Sequence, residues 1–184
     1  MSTHTLSVLV EKSPGVLARV AGLFSRRAYN IDSLAVGPTE NPHISRMTIV
    51  ISVEGHSLEQ VIRQLDKLVN VIHIAELKLE DSVQAELLLV KISATSKNRF
   101  DVDAVIETYG ATIVDEDPHS LTIEATGDAA KISDLLNALE RFGIRELAQS
   151  GLVALERGSG SLADRTLSTQ SIPTADSGQA DYQN

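Results

Sequence analysis

The chain has 184 residues, of which 42% are hydrophobic, enough for one ordinary domain or two small ones with filled cores. With 25 acidic against 16 basic residues the net charge is -9, a surface that repels phosphate and anionic lipid, so neither nucleic acid nor a membrane is expected as a partner. The lack of cysteine excludes a disulfide framework, thiolate metal sites, iron-sulfur clusters and a thiol nucleophile.

Residues 1–6 are polar and lack a basic segment followed by an apolar run, and no apolar stretch approaches the ~20 residues of a membrane span. A cytoplasmic location is expected. Leu6, Val8 and Val10 then alternate with Ser7 and Glu11, a strand, and Ser13-Pro14-Gly15 opens a segment with Leu17, Val20, Ala21 and Phe24 at helical spacing. That helix should end near Arg26 and Arg27, whose charges suit the negative end of its dipole. Residues 31–37 extend as a strand, Gly37-Pro38 breaks it, and Asn41-Pro42 marks a turn. Met47, Ile49, Ile51 and Val53 alternate with polar neighbours except Val50, which predicts a strand with one buried face. After Gly55, Leu58, Val61, Ile62, Leu65, Leu68 and Val69 follow helical spacing, and 71–79 reads as a strand. The order is βαββαβ.

Glu80-Asp81-Ser82 is a polar break, after which the order restarts. Residues 87–93 predict a strand, and Val102, Val105, Ile106 and Tyr109 a helix ended by Gly110. Residues 111–115 and 121–125 predict a hairpin around Asp117-Pro118. Ile132, Leu135, Leu136, Leu139 and Phe142 mark a further helix, and 145–157 carries a last strand. This is a second βαββαβ unit, repeated in pattern rather than in residue identity. Residues 158–184 are rich in Ser, Thr, Gly, Asp and Gln with few apolar side chains, and are expected to form a disordered tail. The fold class is α+β: two ferredoxin-like domains, each an antiparallel sheet with both helices on one face. The other face of each sheet needs a cover, which favours pairing with another sheet.

Ser13-Pro14-Gly15-Val16-Leu17 is the most informative stretch. Ser13 can cap the helix, Pro14 suits its first position, and Gly15 admits a ligand close to the backbone. The amides of Gly15, Val16 and Leu17 would then face a carboxylate at the positive end of a helix dipole; the alternative is an ordinary capped helix start. Asn30 is open to two readings, a turn residue tolerating an unusual backbone angle or an amide that pairs with both polar ends of an amino acid. His4, His43, His56, His73 and His119 are scattered, with no i, i+4 pair, so no metal site is expected. Asp115-Glu116-Asp117 reads as a solvated turn. There is no Gly-rich phosphate loop, nucleophile elbow or triad, so no catalytic residue is assigned. An RNA-recognition module shares this topology, but it needs sheet aromatics and a basic surface, and this chain has three Phe, three Tyr and no Trp.

Leu6-Ser-Val-Leu-Val-Glu11, Pro14-Gly-Val-Leu-Ala-Arg-Val20, Gly22-Leu-Phe-Ser25, Tyr29-Asn-Ile31, Ser33-Leu34 and Ser45-Arg-Met-Thr-Ile49 closely resemble acetolactate (acetohydroxyacid) synthase small subunits. So do Leu58-Glu-Gln60, Gln64-Leu65, Lys67-Leu68, Leu89-Val-Lys91 and Ser150-Gly151, and the resemblance runs over about residues 4–157. It implies an ACT amino-acid-sensing domain at 4–80, a ferredoxin-like domain at 86–157, and a homodimer formed through the ACT sheets. It also implies activation and valine-type feedback inhibition of a separate catalytic large subunit, which carries thiamine diphosphate, a divalent metal such as Mg and FAD; this chain would bind no cofactor. By the same resemblance the amino acid sits between two ACT domains, with Gly15, Val16 and Leu17 of one chain facing Asn30, Ile31 and Gly37 near the interface, and Gln60 influencing the site. Two positions depart from the family: Lys12, usually Asn, places a positive charge near the expected carboxylate, and Ala28, usually Gly, lies in the helix-ending turn. The rivals are a free-standing ACT sensor controlling another enzyme, which would not need the second unit, and an enzyme on a ferredoxin-like scaffold.

Overall fold

The computed structural model describes residues 2–54 and 57–162. The first unit runs β1 (Ser2–Glu11), α1 (Val16–Arg26), β2 (Ile31–Pro38), β3 (Ile44–Val53), α2 (Ser57–Leu65) and β4 (Val71–Glu76), and its strands are ordered β2-β3-β1-β4, all antiparallel. The second runs β5 (Ser82–Ser93), α3 (Arg99–Tyr109), β6 (Thr112–Asp117), β7 (Ser120–Gly127), α4 (Ala129–Glu140) and β8 (Ile144–Gln149), ordered β6-β7-β5-β8. The two orders are the same topology, so the repeat seen in the apolar pattern is a repeat of architecture.

Each core follows from that pattern. In α1, Val16, Val20, Leu23 and Phe24 fall on one stripe and are buried against Leu6, Val8 and Val10 of β1 and Met47, Ile49 and Ile51 of β3. In the second unit Val102 and Ile106 of α3 and Ile132, Leu135 and Leu139 of α4 close over Leu88, Val90, Ile92, Leu121 and Ile123. Gly110 ends α3 in the left-handed conformation, φ 59°. Asp128 caps α4 by accepting a hydrogen bond from the Lys131 amide at 2.8 Å.

Two expectations about strands are corrected. β3 is buried on both faces rather than one: Met47, Ile49 and Ile51 face the helices, while Thr48 and Val50 on the opposite face are only 2% and 9% exposed. The last strand is not continuous either, because the chain breaks after β8 and resumes as β9 (Val153–Glu156). These differences share one cause. β5 begins at Ser82, and its first residues, Ser82 to Ala85, pair with β9 as a two-stranded ribbon. That ribbon lies over the helix-free face of the first sheet, where Thr5, Ser7 and Leu9 are also buried. The sheet's second face is therefore covered by the same chain. The ribbon's strands, four residues each, are too short to give a periodic signal of their own.

Gly158–Leu162 belong to the stretch expected to form the tail, and Leu162 is only 3% exposed. The remainder of that stretch, 163–184, lies outside the described residues.

Candidate functional site

The loop between β1 and α1 is pinned at several points. The Lys12 amide donates to the His43 carbonyl at 2.7 Å and the Glu11 amide to the Asn70 carbonyl at 2.9 Å. Asn70 Nδ2 donates to Glu11 Oε2 at 2.8 Å and to Ser13 Oγ at 3.4 Å, while Arg19 donates to Asn70 Oδ1 at 2.6 Å. Two details differ from the sequence reading. The Ser13 hydroxyl does not cap α1; the N-cap is Gly15, at φ 81°, and no side chain makes the cap hydrogen bond. Pro14 consequently precedes the cap instead of opening the first turn. The left-handed angle explains the glycine, and the space beside it is open, since a Cβ built there meets nothing within 4 Å.

The first intrahelical bond runs from the Arg19 amide to the Gly15 carbonyl at 3.0 Å. The amides of Gly15, Val16 and Leu17 precede it and take no backbone acceptor among the described residues, which leaves donors free for an anion. A cavity of about 290 Å³ adjoins them, lined by Lys12, Pro14, Val16, Leu17, Val36 and Met47 among others. Five hydrophobic side chains (Val10, Val16, Leu17, Val36 and Met47), Lys12 and free amides suit a carboxylate carrying an apolar side chain, and Glu11 on the same lining suits an ammonium.

Asn30 and Gln60 stand elsewhere. α1 closes with paired bonds from Ala28 N to Ser25 O (3.2 Å) and Tyr29 N to Phe24 O (3.1 Å), which places Ala28 in the left-handed region at φ 55°. The unusual backbone angle in this turn is thus at Ala28 and not at Asn30. Asn30 Nδ2 donates to Asp32 Oδ1 at 2.8 Å, and Asp32 Oδ2 accepts from Ser52 at 2.6 Å. The Tyr29 hydroxyl reaches Gln60 Oε1 at 3.5 Å.

Strand register measures the gap between the groups. Ile31 pairs with Ile51, which pairs with His4; Gly37 pairs with Arg46, which pairs with Leu9. Five residues of β3 separate the two rungs, about 17 Å along the sheet. Within one chain, then, Lys12, Gly15, Val16, Leu17 and Gly37 gather at one end and Asn30, Ile31 and Gln60 at the other. Sequence reasoning missed Asn70 and His43, which position the loop through bonds spanning tens of residues and leave no local signal.

Among the described residues no group of three or more His, Cys, Asp or Glu side chains is arranged to hold a metal ion. Asp115, Glu116 and Asp117 end β6, paired with β7, rather than forming a turn; Glu116 and Asp103 hold Arg99, whose guanidinium is pushed further up in pKa by its hydrogen bonds to Glu116 first and Asp103 second. Asp117 Oδ1 accepts from the His119 amide at 3.0 Å. Among the described residues no helix is long and apolar enough to cross a membrane.

Comparison with known proteins identifies the family. Residues 6–73 match the family described as the AHAS small subunit-like ACT domain, and residues 85–158 match the small subunit of acetolactate synthase. The acetolactate synthase small subunit of Mycobacterium bovis is 57% identical over 156 residues, 85% of this chain and 93% of that one. That of Mycobacterium leprae is 54% identical over 158 residues, 86% and 94% of the two chains. The crystal structure of the Thermotoga maritima small subunit superposes with a TM-score of 0.80 at 31% identity, covering 87% of this chain and 100% of that one. The chain belongs to the acetolactate synthase small-subunit family.

Proposed function

We propose that this chain is the cytoplasmic regulatory subunit that activates a catalytic acetolactate synthase large subunit and confers feedback inhibition by a branched-chain amino acid, valine foremost. The observation that carries the sensing site is the division of its residues into two half-sites about 17 Å apart on one sheet. A single amino acid cannot span them. The helix-free face of that sheet is already occupied by the β5–β9 ribbon, so stacking a second sheet there is closed off; of the two edge strands, β2 and β4, it is β2 that carries Ile31 and Gly37 and so offers the edge for sheet extension. Antiparallel pairing of two β2 edges centred on Leu34 would set Ile31 of one chain opposite Gly37 of the partner subunit. Each effector would then lie between the amides of residues 15–17 in one chain and Asn30 in the other, giving two equivalent sites per dimer.

The chemistry divides accordingly. The amides and Lys12 would take the α-carboxylate, the Asn30 amide would bridge its polar groups, and Leu17, Val36 and Ile31 would line the branched side chain. Thiamine diphosphate, the divalent metal and FAD would reside on the large subunit, which performs the carbon-carbon bond formation. Inhibition requires that the effector bind two states of the assembly unequally, by ~1 to 3 kcal/mol for ordinary coupling.

The test is reconstitution. The isolated chain should be inert on pyruvate with thiamine diphosphate, magnesium and FAD, sediment as a dimer, and stimulate the cognate large subunit. Acetolactate formed by large-subunit-free protein, or a large subunit indifferent to the chain, would overturn the assignment; capture of a different enzyme with no effect on acetolactate synthase would favour the free-standing sensor.

A further inference from the structure

One contact between the two units is closer than any side chain would allow. Gly151 lies in the link between β8 and β9, flat against the peptide that joins Leu34 to Ala35 in β2. A Cβ at Gly151 would sit 2.4 Å from the Leu34 oxygen, 2.5 Å from its carbonyl carbon and 2.8 Å from the Ala35 nitrogen. All three are backbone atoms, so nothing can rotate away. Beside it the Leu152 amide donates to Ser33 Oγ at 2.8 Å, across 119 residues of sequence.

The second unit is tied to the same link. The Ser150 amide donates to the Leu87 carbonyl and the Leu87 amide to Ser150 Oγ, both at 2.9 Å. Leu87 stands where β5 passes from the ribbon, paired with β9 through Ala85, into the second sheet, paired with β8 from Leu88. A short path of backbone contacts therefore runs from the middle of β2 through Leu152, Gly151 and Ser150 to the middle of β5. Its foot on β2 lies between Ile31 and Gly37, the members of the two half-sites that stand on that strand.

We infer that the joint formed by the Gly151 contact with the Leu34–Ala35 peptide and the Leu152–Ser33 hydrogen bond passes effector occupancy at the ends of β2 to the second unit, with Gly151 and Ser33 as positioning residues for inhibition. The inference rests on the effector-sensing function proposed above. A strand packed this closely cannot shift or twist without carrying the link along, and the link cannot move without Leu87. The space around the joint, about 430 Å³, is lined by Asp32, Ser33, Leu34, Glu86, Gln149, Ser150 and Gly151 and shares no residue with the helix-start cavity. Changing it should alter how binding is communicated and leave binding itself in place.

The experiment uses the full-length chain, its cognate large subunit and valine, with G151A and S33A. Calorimetry on the small subunit measures valine affinity, thermal melting measures folding, and the reconstituted enzyme gives the ratio of activity without valine to activity at saturating valine. In the parent that ratio should exceed fivefold. In both variants affinity should stay within about threefold of the parent while the ratio falls towards one. Should G151A melt far below the parent, S33A, which removes one hydroxyl and no volume from the backbone contact, decides. The inference is overturned if the variants keep the parent's inhibition ratio, or if they lose valine affinity together with inhibition. A parent that binds no branched-chain amino acid would overturn the proposed function as well, and that arm is read independently of the variants.

Discussion

Gly15→Asp separates sensing from docking, and the structure fixes what it should cost. Gly15 has φ 81°, a conformation that costs an ordinary L-residue ~1 to 2 kcal/mol, with Asp and Asn at the mild end. A Cβ there meets nothing within 4 Å, so backbone strain is the whole penalty and no neighbour must move. A loss of about 1 kcal/mol corresponds to a Tm lower by ~4 to 8 °C for a unit of this size. Ligand binding should suffer far more. Two carboxylates ~4 Å apart at a partly exposed site repel by ~4 kcal/mol, several hundredfold in affinity. Even if Lys12, which lines the same cavity, offsets half of that, about thirtyfold remains. Gly15→Asn is the control, because it carries the same backbone strain and nearly the same volume without the charge. Inhibition curves of the reconstituted enzyme, with activation measured in the absence of amino acid, should show Gly15→Asp activating normally and resisting inhibition, with Gly15→Asn between it and the parent. If Gly15→Asp is as inhibitable as the parent, the helix-start pocket is wrong; if it abolishes activation at an unchanged fold, the loop serves docking too.

Asn30→Ala should weaken effector binding by ~1 to 3 kcal/mol in calorimetry, because it leaves a ligand group unpaired, and should barely move Tm since its recorded partner, Asp32, keeps a second bond to Ser52. Ala28→Gly should stabilise the chain by up to ~1 kcal/mol in denaturant unfolding: it relieves left-handed strain at φ 55°, and the greater freedom of glycine in the unfolded chain returns part of that gain. Removal of residues 163–184 should leave Tm and activation unchanged, whereas removal from Gly158 also deletes buried Leu162 and should cost ~1.5 to 3 kcal/mol. Equal melting of the two truncations would mean that Leu162 contributes nothing.

The fold was legible wherever one face of an element was buried and the other wet. α1 and α4 show four and three buried positions on clean stripes, and Gly110 stops α3 where the pattern ends. β3 misled because its second face is also covered, which period-two patterning registers only as Val50 out of step. The cover itself was hidden for a related reason. β9 is four residues long and β5 contributes only four to the ribbon, too few for periodicity to mark them off from the neighbouring strands and links.

The site divided along the same line between local and distant causes. Gly15 stands out in sequence one residue past a proline at a helix start, and its positive φ accounts for the glycine on backbone grounds. Ser13 misled because a hydroxyl in N-cap spacing is indistinguishable in sequence from one that bonds elsewhere; here Asn70, held by Arg19 and Glu11, draws it away. Asn30 was similarly ambiguous, and the strain assigned to it belongs two residues earlier. The residues that fix the loop and the joint, Asn70, His43, Ser33 and Gly151, act through contacts across 31 to 119 residues, which local spacing does not show even where, as at Ser33 and Gly151, the residue belongs to a recognisable stretch. Gly151 makes the point most sharply. In sequence it is one glycine among 11, in a run that patterning reads as an unbroken strand. Only the Leu34–Ala35 peptide pressed against it shows why a side chain is missing there, because a methyl group at that position would push β2 and the β8–β9 link apart.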